Sequence, residues 1–330
     1  MDKPLVSICI PTYNRAEYLV GSIKSALDQD YANIEVIVSD NNSTDNTQEV
    51  IQQFMDEDRF HYFRNSSNIG MVKNWKKMLE ELVSGTWFIL LSDDDYFIDE
   101  SYVANVVALI NQNANVGMVY ANGYIEYNKM NAKEELNLPY SEIESGKNIF
   151  LTCHNIIPQS HTLCNVVFNT EIAKEVDAFS NQFNLCCDSE LFLKSCLRGD
   201  VGVIKEHVSV YRIHGENLIL QNRSIEQLIA LAEDLFIAPQ KDATELNIYS
   251  KSDLEKRCRD YVLPNLRDIF IEVHAINHGA VETVLNIMQK NGVCIRGFYN
   301  SPLFILKIFI VKFPKLYRLL KSTKKYLREL

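Results

Sequence analysis

The sequence predicts an α/β fold in which helices flank a mainly parallel sheet and a helical extension follows. Short apolar strands alternate with helices of about ten residues three times within the first part of the chain, which is typical of parallel strands joined by crossover helices. From about residue 222 onward the apolar spacing is helical. A chain of 330 residues can form one large domain or two domains with a sizeable core.

The first part of the chain supplies the predicted parallel strands. Apolar runs predict strands at residues 5–10, 34–39, 60–63 and 87–91, and helical spacing predicts helices at residues 18–27, 47–55 and 71–83. Polar segments follow the strands at residues 11–15, Asp40, 68–70 and 93–95. Because α/β sheets bind ligands at the carboxyl ends of their strands, we expect these four segments to meet on one rim.

The middle of the chain has a mixed pattern, and the end is helical. We expect a helix at residues 102–110, a strand at 116–120, a polar hairpin or loop at 124–138, an antiparallel strand at 163–168, a helix at 188–197, and two short strands at 201–204 and 208–211. Further helices are expected at 225–237, at 254–278 with a break at Pro264, and at 281–290. This order predicts an antiparallel portion beside the parallel one.

Residues 93–95 are three consecutive aspartates directly after an apolar strand. Adjacent carboxylates repel one another, and a divalent cation that bridges them to a phosphate would offset this repulsion. Mg²⁺ and Mn²⁺ suit such oxygen-rich sites. The alternative is an acidic turn that caps the helix at 102–110, because aspartate also favours turns and caps.

The charge distribution argues against nucleic acid as a partner and singles out the C-terminal tail. The net charge is -10, whereas general nucleic-acid binders are usually basic. Residues 301–330 nevertheless carry eight Lys and Arg against one Glu, interleaved with Leu, Ile and Phe. This pattern predicts an amphipathic segment attracted to an anionic membrane surface, with docking on the core or a homo-oligomer contact as the alternatives.

The cysteines and the absence of an apolar span indicate the compartment. Eight cysteines occur without framework spacing, and no signal-peptide pattern precedes the first strand. No uninterrupted apolar stretch reaches the roughly 18 residues of a membrane span. We therefore expect a cytoplasmic protein, held peripherally on the inner face of the cell membrane if the tail binds lipid.

Several motifs of other enzyme classes are absent. The first strand is followed by Pro-Thr-Tyr-Asn rather than a glycine-rich loop, which excludes dinucleotide dehydrogenases and P-loop NTPases, and the chain has no nucleophile elbow of an α/β-hydrolase. The pairs Cys153/His154 and His161/Cys164 lack the spacing of structural zinc sites, so buried thiols and loop histidines are the preferred interpretation.

Six segments together resemble the large inverting glycosyltransferase family 2, which has the GT-A fold. The segments are Val6-Ser7-Ile8-Cys9-Ile10-Pro11-Thr12-Tyr13-Asn14-Arg15, residues 38–45, Asn68-Ile69-Gly70 with Asn74, Ser92-Asp93-Asp94-Asp95, Cys187-Asp188, and residues 211–217. The first four occur in the order and spacing of the family over residues 5–95. Beyond about residue 220 the resemblance is weak.

The resemblance implies a Rossmann-like GT-A domain at residues 1–220 and a helical C-terminal region at 221–330. Within the first, residues 1–98 would form the nucleotide-binding half and 99–220 the acceptor half. It also implies transfer of a sugar from a nucleotide-diphosphate sugar, by default a UDP-sugar, to a glycan or lipid-linked glycan of the bacterial surface. The alternatives are a sugar-phosphate nucleotidyltransferase and a non-catalytic sugar-nucleotide binding protein on the same fold.

The resemblance also assigns candidate residues. The nucleotide-sugar site would comprise Pro11, Thr12, Tyr13, Arg15, Asp40, Asn68, Gly70, Lys73, Asn74, Asp93 and Asp94, and Mn²⁺ or Mg²⁺ would bind Asp94, Asp95 and His214. Asp188 is the expected catalytic base, Glu190 the second candidate, and His161 an acceptor-site candidate. Two departures leave roles open. Ser92 replaces the usual first Asp, so three carboxylates remain for ribose and metal, and Cys187 replaces the usual Glu.

Overall fold

The structure is a computed structural model, and it describes residues 3–127, 132–152, 163–214, 223–277 and 281–290. These form two compact units, one within Met1–Gln182 and Cys187–Gln221 and the other within Phe183–Cys186 and Asn222–Leu330. The predicted tail at 301–330, the segment 215–217, and Cys153, His154 and His161 lie outside the described residues.

The described part of the first unit is built on a ten-stranded mixed sheet. Its strands are β1 (Val6–Thr12), β2 (Ile34–Asp40), β3 (Phe60–Arg64), β4 (Trp87–Leu90), β5 (Tyr96–Phe97), β6 (Val116–Tyr127), β7 (Ala132–Leu136), β8 (Ile143–Glu144), β9 (Val166–Asn169) and β10 (Asp200–Ile213). Eight of them follow the order β3-β2-β1-β4-β9-β6-β10-β5, while β7 pairs with β6 and β8 with β10. β1 to β4 are mutually parallel, as predicted.

The centre of the parallel part is buried on both faces. Every residue of β2 and β4 is buried, and β1 is buried except at Pro11. A strand covered on both faces needs a nearly continuous apolar run rather than an alternating one, which explains the sequences of these strands. Ser39 and Asp40 close β2 and Thr12 closes β1, whereas the buried polar residues near the amino ends, Ser7 and Glu35, bond to each other.

The helices of the first unit are α1 (Ala16–Leu27), α2 (Thr47–Val50), α3 (Met71–Lys77), α4 (Tyr102–Gln112), α5 (Gly146–Thr152), α6 (Thr170–Glu175) and α7 (Cys187–Cys196). A 3₁₀ turn at Ile51–Phe54 continues α2, and a π-helical turn at Met78–Leu82 continues α3. Leu19 and Ile23 of α1 and Val106 of α4 share one core with Ile8 and Ile89 of the sheet. These two helices thus cover one face of the parallel strands.

The antiparallel portion is larger than predicted. β9 runs antiparallel to both β4 and β6, which confirms the predicted direction of that strand. The two short strands expected at 201–204 and 208–211 are wrong, because β10 is one continuous strand. Its register against β6 shifts between Ile204 and His207, where Lys205 and Glu206 are exposed. This bulge interrupts the apolar run without ending the strand.

The second unit is helical in its described residues. It contains α8 (Ile225–Ala230), α9 (Ala238–Glu245), α10 (Lys251–Arg257), α11 (Leu263–Ile276) and α12 (Val281–Lys290), with π-helical turns at Leu231–Ile237 and Cys258–Val262. Pro264 stands in the first turn of α11, directly after the π-helical turn, so the predicted break is instead a change from π-helical to α-helical geometry. In the described segments no helix is both long and apolar enough to span a bilayer.

Candidate active site

The loops after β1 and β2 are joined by hydrogen bonds from each to the other. Asn14 adopts a φ of +54° and accepts the Thr44 amide at 2.7 Å on its side-chain oxygen, while its own amide donates to Ser43 Oγ at 2.9 Å. Asp45 accepts the Ala16 amide of α1 at 3.0 Å. Burial opposes ionisation of Asp45, but hydrogen bonds from Thr47 and Ala16 lower the pKa of its carboxyl. The two predicted segments therefore meet on the rim.

Asp40 closes β2 with both carboxylate oxygens engaged. Its fully buried side chain accepts the Ser43 amide at 2.7 Å and the Tyr62 hydroxyl at 2.7 Å, and Arg64 Nε lies 3.6 Å away. Burial and the hydrogen bond to Asp40 raise the pKa of the Tyr62 hydroxyl. The sequence offered no sign of these two partners on β3, since neither has a motif of its own.

Asn74 links the ends of β2 and β3 to α3. Its side-chain oxygen accepts Ser39 Oγ at 2.7 Å and Asn65 Nδ2 at 2.8 Å, and its amide donates to the Ser39 carbonyl at 3.1 Å. The side chain is only 2% exposed, and the hydrogen bonds named above all join it to other residues of the protein. The arrangement favours a positioning role for Asn74, behind the pocket that it was expected to line.

Asn68 and Gly70 shape the turn into α3. Asn68 Oδ1 accepts the Gly70 amide at 2.9 Å and the Asn41 side-chain amide at 2.9 Å. Gly70 has a φ of +87°, a conformation that side chains disfavour, which explains the glycine. Lys73, one turn further, is exposed.

The first loop presents side chains of different exposure. Tyr13 is 43% exposed, Thr12 is buried, and Pro11 is half-buried. An exposed aromatic ring beside a buried hydroxyl can stack on a nucleobase without rearrangement of the core.

The acidic triplet, residues 93–95, follows β4 and is buried, with Asp95 fully inaccessible. The Asp95 amide donates to the Ser92 carbonyl at 3.0 Å, which closes a turn. The Ser22 hydroxyl of α1 donates to the Asp93 carbonyl at 2.8 Å and also contacts the Asp95 carbonyl. α1 thus fixes the backbone that carries the carboxylates. Ser22 lies about 70 residues away in sequence, and no local pattern marked it.

Arg15 and His214 both contact Asp94. Arg15 Nη1 binds Asp94 Oδ2 and lies 3.3 Å from Asp93 Oδ1. His214 Nε2 lies 2.9 Å from the same Asp94 oxygen. The His214 ring stacks on Tyr18 of α1, with centroids 5.2 Å apart. The structure therefore brings the predicted site residues Arg15 and His214 together at Asp94, and Arg15 also lies beside Asp93.

Arg212 supports the triplet through its backbone and its side chain. Its amide donates to Asp95 Oδ1 at 2.9 Å, and its guanidinium donates to the Asp94 carbonyl at 2.9 Å. The guanidinium also lies 4.3 Å from the Tyr96 ring centroid and 3.5 Å from Glu126. Tyr96 and Glu126 were missed by sequence reasoning, because only the fold brings β5 and β6 to this point.

The buried carboxylates are short of positive charge. Burial raises the pKa of the Asp93 carboxyl to about 7, with Arg15 opposing the shift and Asp94 adding to it. Burial and the neighbouring Asp94 raise the pKa of Asp95 well above its usual value. Acids retain protons in this way when a buried anion is poorly compensated. An additional cation would favour their ionised forms.

The chemistry of the triplet fits a divalent cation. Asp95 Oδ2 is buried and has no hydrogen-bond partner, which leaves one hard oxygen ligand available. Asp94 could supply a second oxygen, although Arg15 now contacts it. Across the described parts of the chain, no three His, Cys, Asp or Glu side chains are arranged as a ready metal site. The donor types fit, and their arrangement would have to change on binding.

Asp188 lies in the first turn of α7 and is half-buried. The hydroxyl of Tyr211 on β10 is influenced electrostatically by Asp188 and by the triplet. Burial raises the pKa of the Tyr211 hydroxyl, and the charges of Asp95, Asp94 and Asp188 raise it further. Asp188 and two triplet carboxylates thus lie within electrostatic range of one hydroxyl.

Glu190, the second candidate base, has a different environment. It is 6% exposed and forms an ion pair with Lys194 at 2.6 Å, one helical turn further along α7. Lys194 also donates to the Val176 carbonyl at 3.3 Å. Because Glu190 is paired with a lysine of its own helix, Asp188 stays the predicted base.

Comparison with known proteins agrees with these motifs. The family model described as Glycosyl transferase family 2 matches residues 7–168. The chain is 36% identical over 122 residues to the GalNAc(5)-diNAcBac-PP-undecaprenol beta-1,3-glucosyltransferase of Campylobacter jejuni subsp. jejuni serotype O:2. This alignment covers 36% of the chain and only 38% of that enzyme. The chain is 28% identical over 226 residues to the putative colanic acid biosynthesis glycosyl transferase WcaA of Escherichia coli K12, covering 65% of the chain and 75% of the relative.

Among solved structures, S. aureus TarS 1-349 in complex with UDP-GlcNAc superposes with a TM-score of 0.59. The sequence identity is 16%, and the alignment covers 87% of this chain and 88% of that one. This likeness shows the fold, which is the Rossmann-like GT-A type that the sequence predicted. The motifs, the family match and this fold agree with one another, and over residues 7–168 the chain matches glycosyltransferase family 2.

Proposed function

We propose that this protein transfers a sugar from a nucleotide-diphosphate sugar to an acceptor hydroxyl with inversion at the anomeric carbon. The observation that carries the proposal is the rim that holds the buried acidic triplet, where Arg15 and His214 both contact Asp94. The charge of Asp188 acts on Tyr211 together with the charges of Asp94 and Asp95. Such a rim, at the carboxyl ends of parallel strands, offers binding for a diphosphate beside a carboxylate base.

The donor site is formed by the loops after β1, β2 and β3. Tyr13 stacks on the base, and Asp40 and Lys73 lie at the pocket that receives the nucleoside. A UDP-sugar is the proposed donor, and the likeness in fold to TarS, whose structure contains UDP-GlcNAc, supports UDP-sugars as the first to test. Asn68, Gly70 and Asn74 hold this pocket from behind.

Inversion requires one displacement at the anomeric carbon. The acceptor oxygen bonds to this carbon as its bond to the diphosphate oxygen breaks, and the bonding pair leaves with the nucleoside diphosphate. Asp188 takes the acceptor proton, because a carboxylate opposite the leaving group is the arrangement that a single displacement needs. Mn²⁺ or Mg²⁺, when bound by Asp94 and Asp95, would offset the charge of the leaving diphosphate.

The proposed acceptor is a lipid-linked glycan of the bacterial surface. The names of two relatives support this class of acceptor. The name of the Campylobacter jejuni relative includes undecaprenol, and that of the Escherichia coli relative includes colanic acid biosynthesis. The basic, apolar segment at 301–330 suits attachment to the membrane that would present such an acceptor. This attachment would place the enzyme peripherally on the inner face of the cell membrane.

The decisive experiment supplies the purified protein with UDP-, dTDP- and GDP-sugars, Mn²⁺ and an undecaprenyl-diphosphate-linked saccharide. A parallel reaction supplies nucleoside triphosphates, a sugar 1-phosphate and the same cation. A glycosyltransferase releases a nucleoside diphosphate and extends the saccharide, whereas a nucleotidyltransferase releases pyrophosphate from a nucleoside triphosphate. Binding of the nucleotide sugar without either product would instead indicate a non-catalytic protein.

A matched pair of variants tests the base. Asp188→Asn should lower the transfer rate by about a thousandfold while donor binding persists, because the general base contributes on this scale. Glu190→Gln, on the same helix, should keep most of the rate. Near-normal turnover of Asp188→Asn would remove the assignment, and loss in Glu190→Gln alone would transfer it.

A further inference from the structure

The cation-binding side of the acidic triplet is already occupied by a side chain of the protein. Arg15 Nη1 contacts Asp94 Oδ2 and lies 3.3 Å from Asp93 Oδ1. The Arg15 side chain is 20% exposed, whereas that of Asp94 is 3% exposed. The guanidinium therefore closes the solvent side of a buried carboxylate.

The backbone of Arg15 is held by its neighbours, while its side chain is partly exposed to solvent. Its neighbours Asn14 and Ala16 are tied to Ser43 and Asp45 by hydrogen bonds of 2.9 and 3.0 Å. Arg15 itself precedes the first turn of α1. The hydrogen bonds that hold the loop therefore do not depend on the contact between the Arg15 side chain and Asp94.

The carboxylate oxygens of Asp94 and Asp95 differ in their hydrogen-bond partners. Asp94 Oδ2 contacts both Arg15 and His214, while the buried Asp95 Oδ2 has no hydrogen-bond partner. A divalent cation that bridges the two aspartates would satisfy the latter and would compete with Arg15 for the former. A guanidinium and a metal ion close to the same oxygen would also repel each other.

We propose, on the basis of the function proposed above, that Arg15 is a displaceable internal counter-ion that occupies the acidic triplet until the donor arrives. The donor's diphosphate competes for the guanidinium, since arginine binds phosphate in a bidentate manner. When Arg15 turns to the diphosphate, Asp94 becomes available to the cation. Cation and nucleotide therefore bind cooperatively, and Arg15 carries the coupling between them.

The test measures Mn²⁺ binding from the electron paramagnetic resonance signal of free Mn²⁺, with and without UDP and with GDP as a second nucleotide. Wild-type protein should bind Mn²⁺ weakly alone and about tenfold or more tightly with nucleotide, as typical coupling energies allow. Arg15→Gln should bind Mn²⁺ about tenfold more tightly than wild type without nucleotide, and nucleotide should add little. Arg15→Lys, which keeps the charge, should remain close to wild type.

Arg59→Gln is the matched control, because the ion-pair partner of Arg59 is Glu57 rather than the acidic triplet. The distance from Arg59 Nε to Glu57 Oε1 is 2.9 Å. The Arg59→Gln variant should bind Mn²⁺ as wild type does. If Arg15→Gln is unstable in chelator, Mn²⁺ should restore its melting temperature, because the metal replaces the guanidinium. Instability that Mn²⁺ does not relieve, unchanged Mn²⁺ affinity in folded Arg15→Gln, or equal Mn²⁺ binding by wild type with and without nucleotide would each overturn the proposal.

The same measurements separate this inference from the proposed function. Mn²⁺ binding by wild type that depends on nucleotide, together with an unchanged Arg15→Gln variant, rejects the counter-ion and leaves a metal-dependent transferase in place. Tight Mn²⁺ binding by Arg15→Gln while wild type binds none under any condition means that nucleotide does not displace Arg15, which overturns the proposal and also rejects metal dependence of the wild-type enzyme. If neither protein binds Mn²⁺, the counter-ion role of Arg15 and the metal role in the proposed function both fail.

Discussion

Replacing Asp93 with asparagine should change the stability of the metal-free protein in a pH-dependent way. Burial raises the pKa of this carboxyl from 3.8 to about 7. Because the folded state holds the proton more tightly than the unfolded state, the stabilisation is complete below pH 3.8 and is lost as the pH rises through about 7. A shift of roughly three units corresponds to a cost of about 4 kcal/mol at pH 8.

Asparagine keeps the shape of the side chain and removes this cost. Asp93→Asn should therefore match wild type near pH 4 and be more stable at pH 8, by at most about 4 kcal/mol since the contact with Arg15 is weakened. Urea unfolding in chelator at both pH values measures the difference. The exposed Asp56 provides the control, because Asp56→Asn should have the same small effect at both.

An Asp93→Asn variant that is less stable than wild type at pH 8 would refute the reasoning, since it would mean that the ionised carboxylate contributes favourably. An equal difference at pH 4 and pH 8 would also refute it, because the effect would then not arise from titration of Asp93.

Three further predictions follow from other parts of the molecule. Gly199→Ala should destabilise the protein by about 1–3 kcal/mol in thermal unfolding, because a Cβ there would meet the Gly117 backbone nitrogen at 2.7 Å, whereas Gly21→Ala on the exposed side of α1 should stabilise it by about 0.5–1 kcal/mol. Arg212→Gln should lower the initial transfer rate about tenfold or more, because it removes the hydrogen bond to the Asp94 carbonyl that helps to position this residue. An unchanged rate would show that Arg212 is dispensable. Deletion of residues 301–330 should abolish sedimentation with phosphatidylglycerol vesicles, and a truncated protein that still sediments would contradict the anchor.

The parallel half of the fold was predictable because its signals are local. The fully buried strands β1, β2 and β4 require apolar runs, and the polar residues that follow them mark the rim. The continuity of β10 was not predictable, since exposed Lys205 and Glu206 at its bulge resemble the turn between two strands. The short strands β5 and β8 contain two residues each and are defined by pairing with β10, which only the folded chain provides.

The candidate site shows the same division. Each motif could be located in the sequence, yet the partners of its side chains could not. Asp94 is contacted by Arg15 from 79 residues before it and by His214 from 120 residues after it. The use of Asn74 inside the protein likewise depends on Asn65 and Ser39. Spacing identifies which residues reach the rim, whereas their charge balance is decided by contacts between distant segments.

The charge balance explains why a stable protein would keep three buried aspartates together. Arg15 compensates Asp93 and Asp94 in part, and Arg212 is shared between the triplet and Glu126. The remaining deficit raises the pKa of Asp93 and Asp95, so the free protein is less stable at neutral pH than a neutral core would be. Binding of a cation with a diphosphate would remove this penalty, and the same free energy would then favour donor binding. Under the proposed function, the triplet would thus exchange stability of the free protein for affinity toward a charged ligand pair.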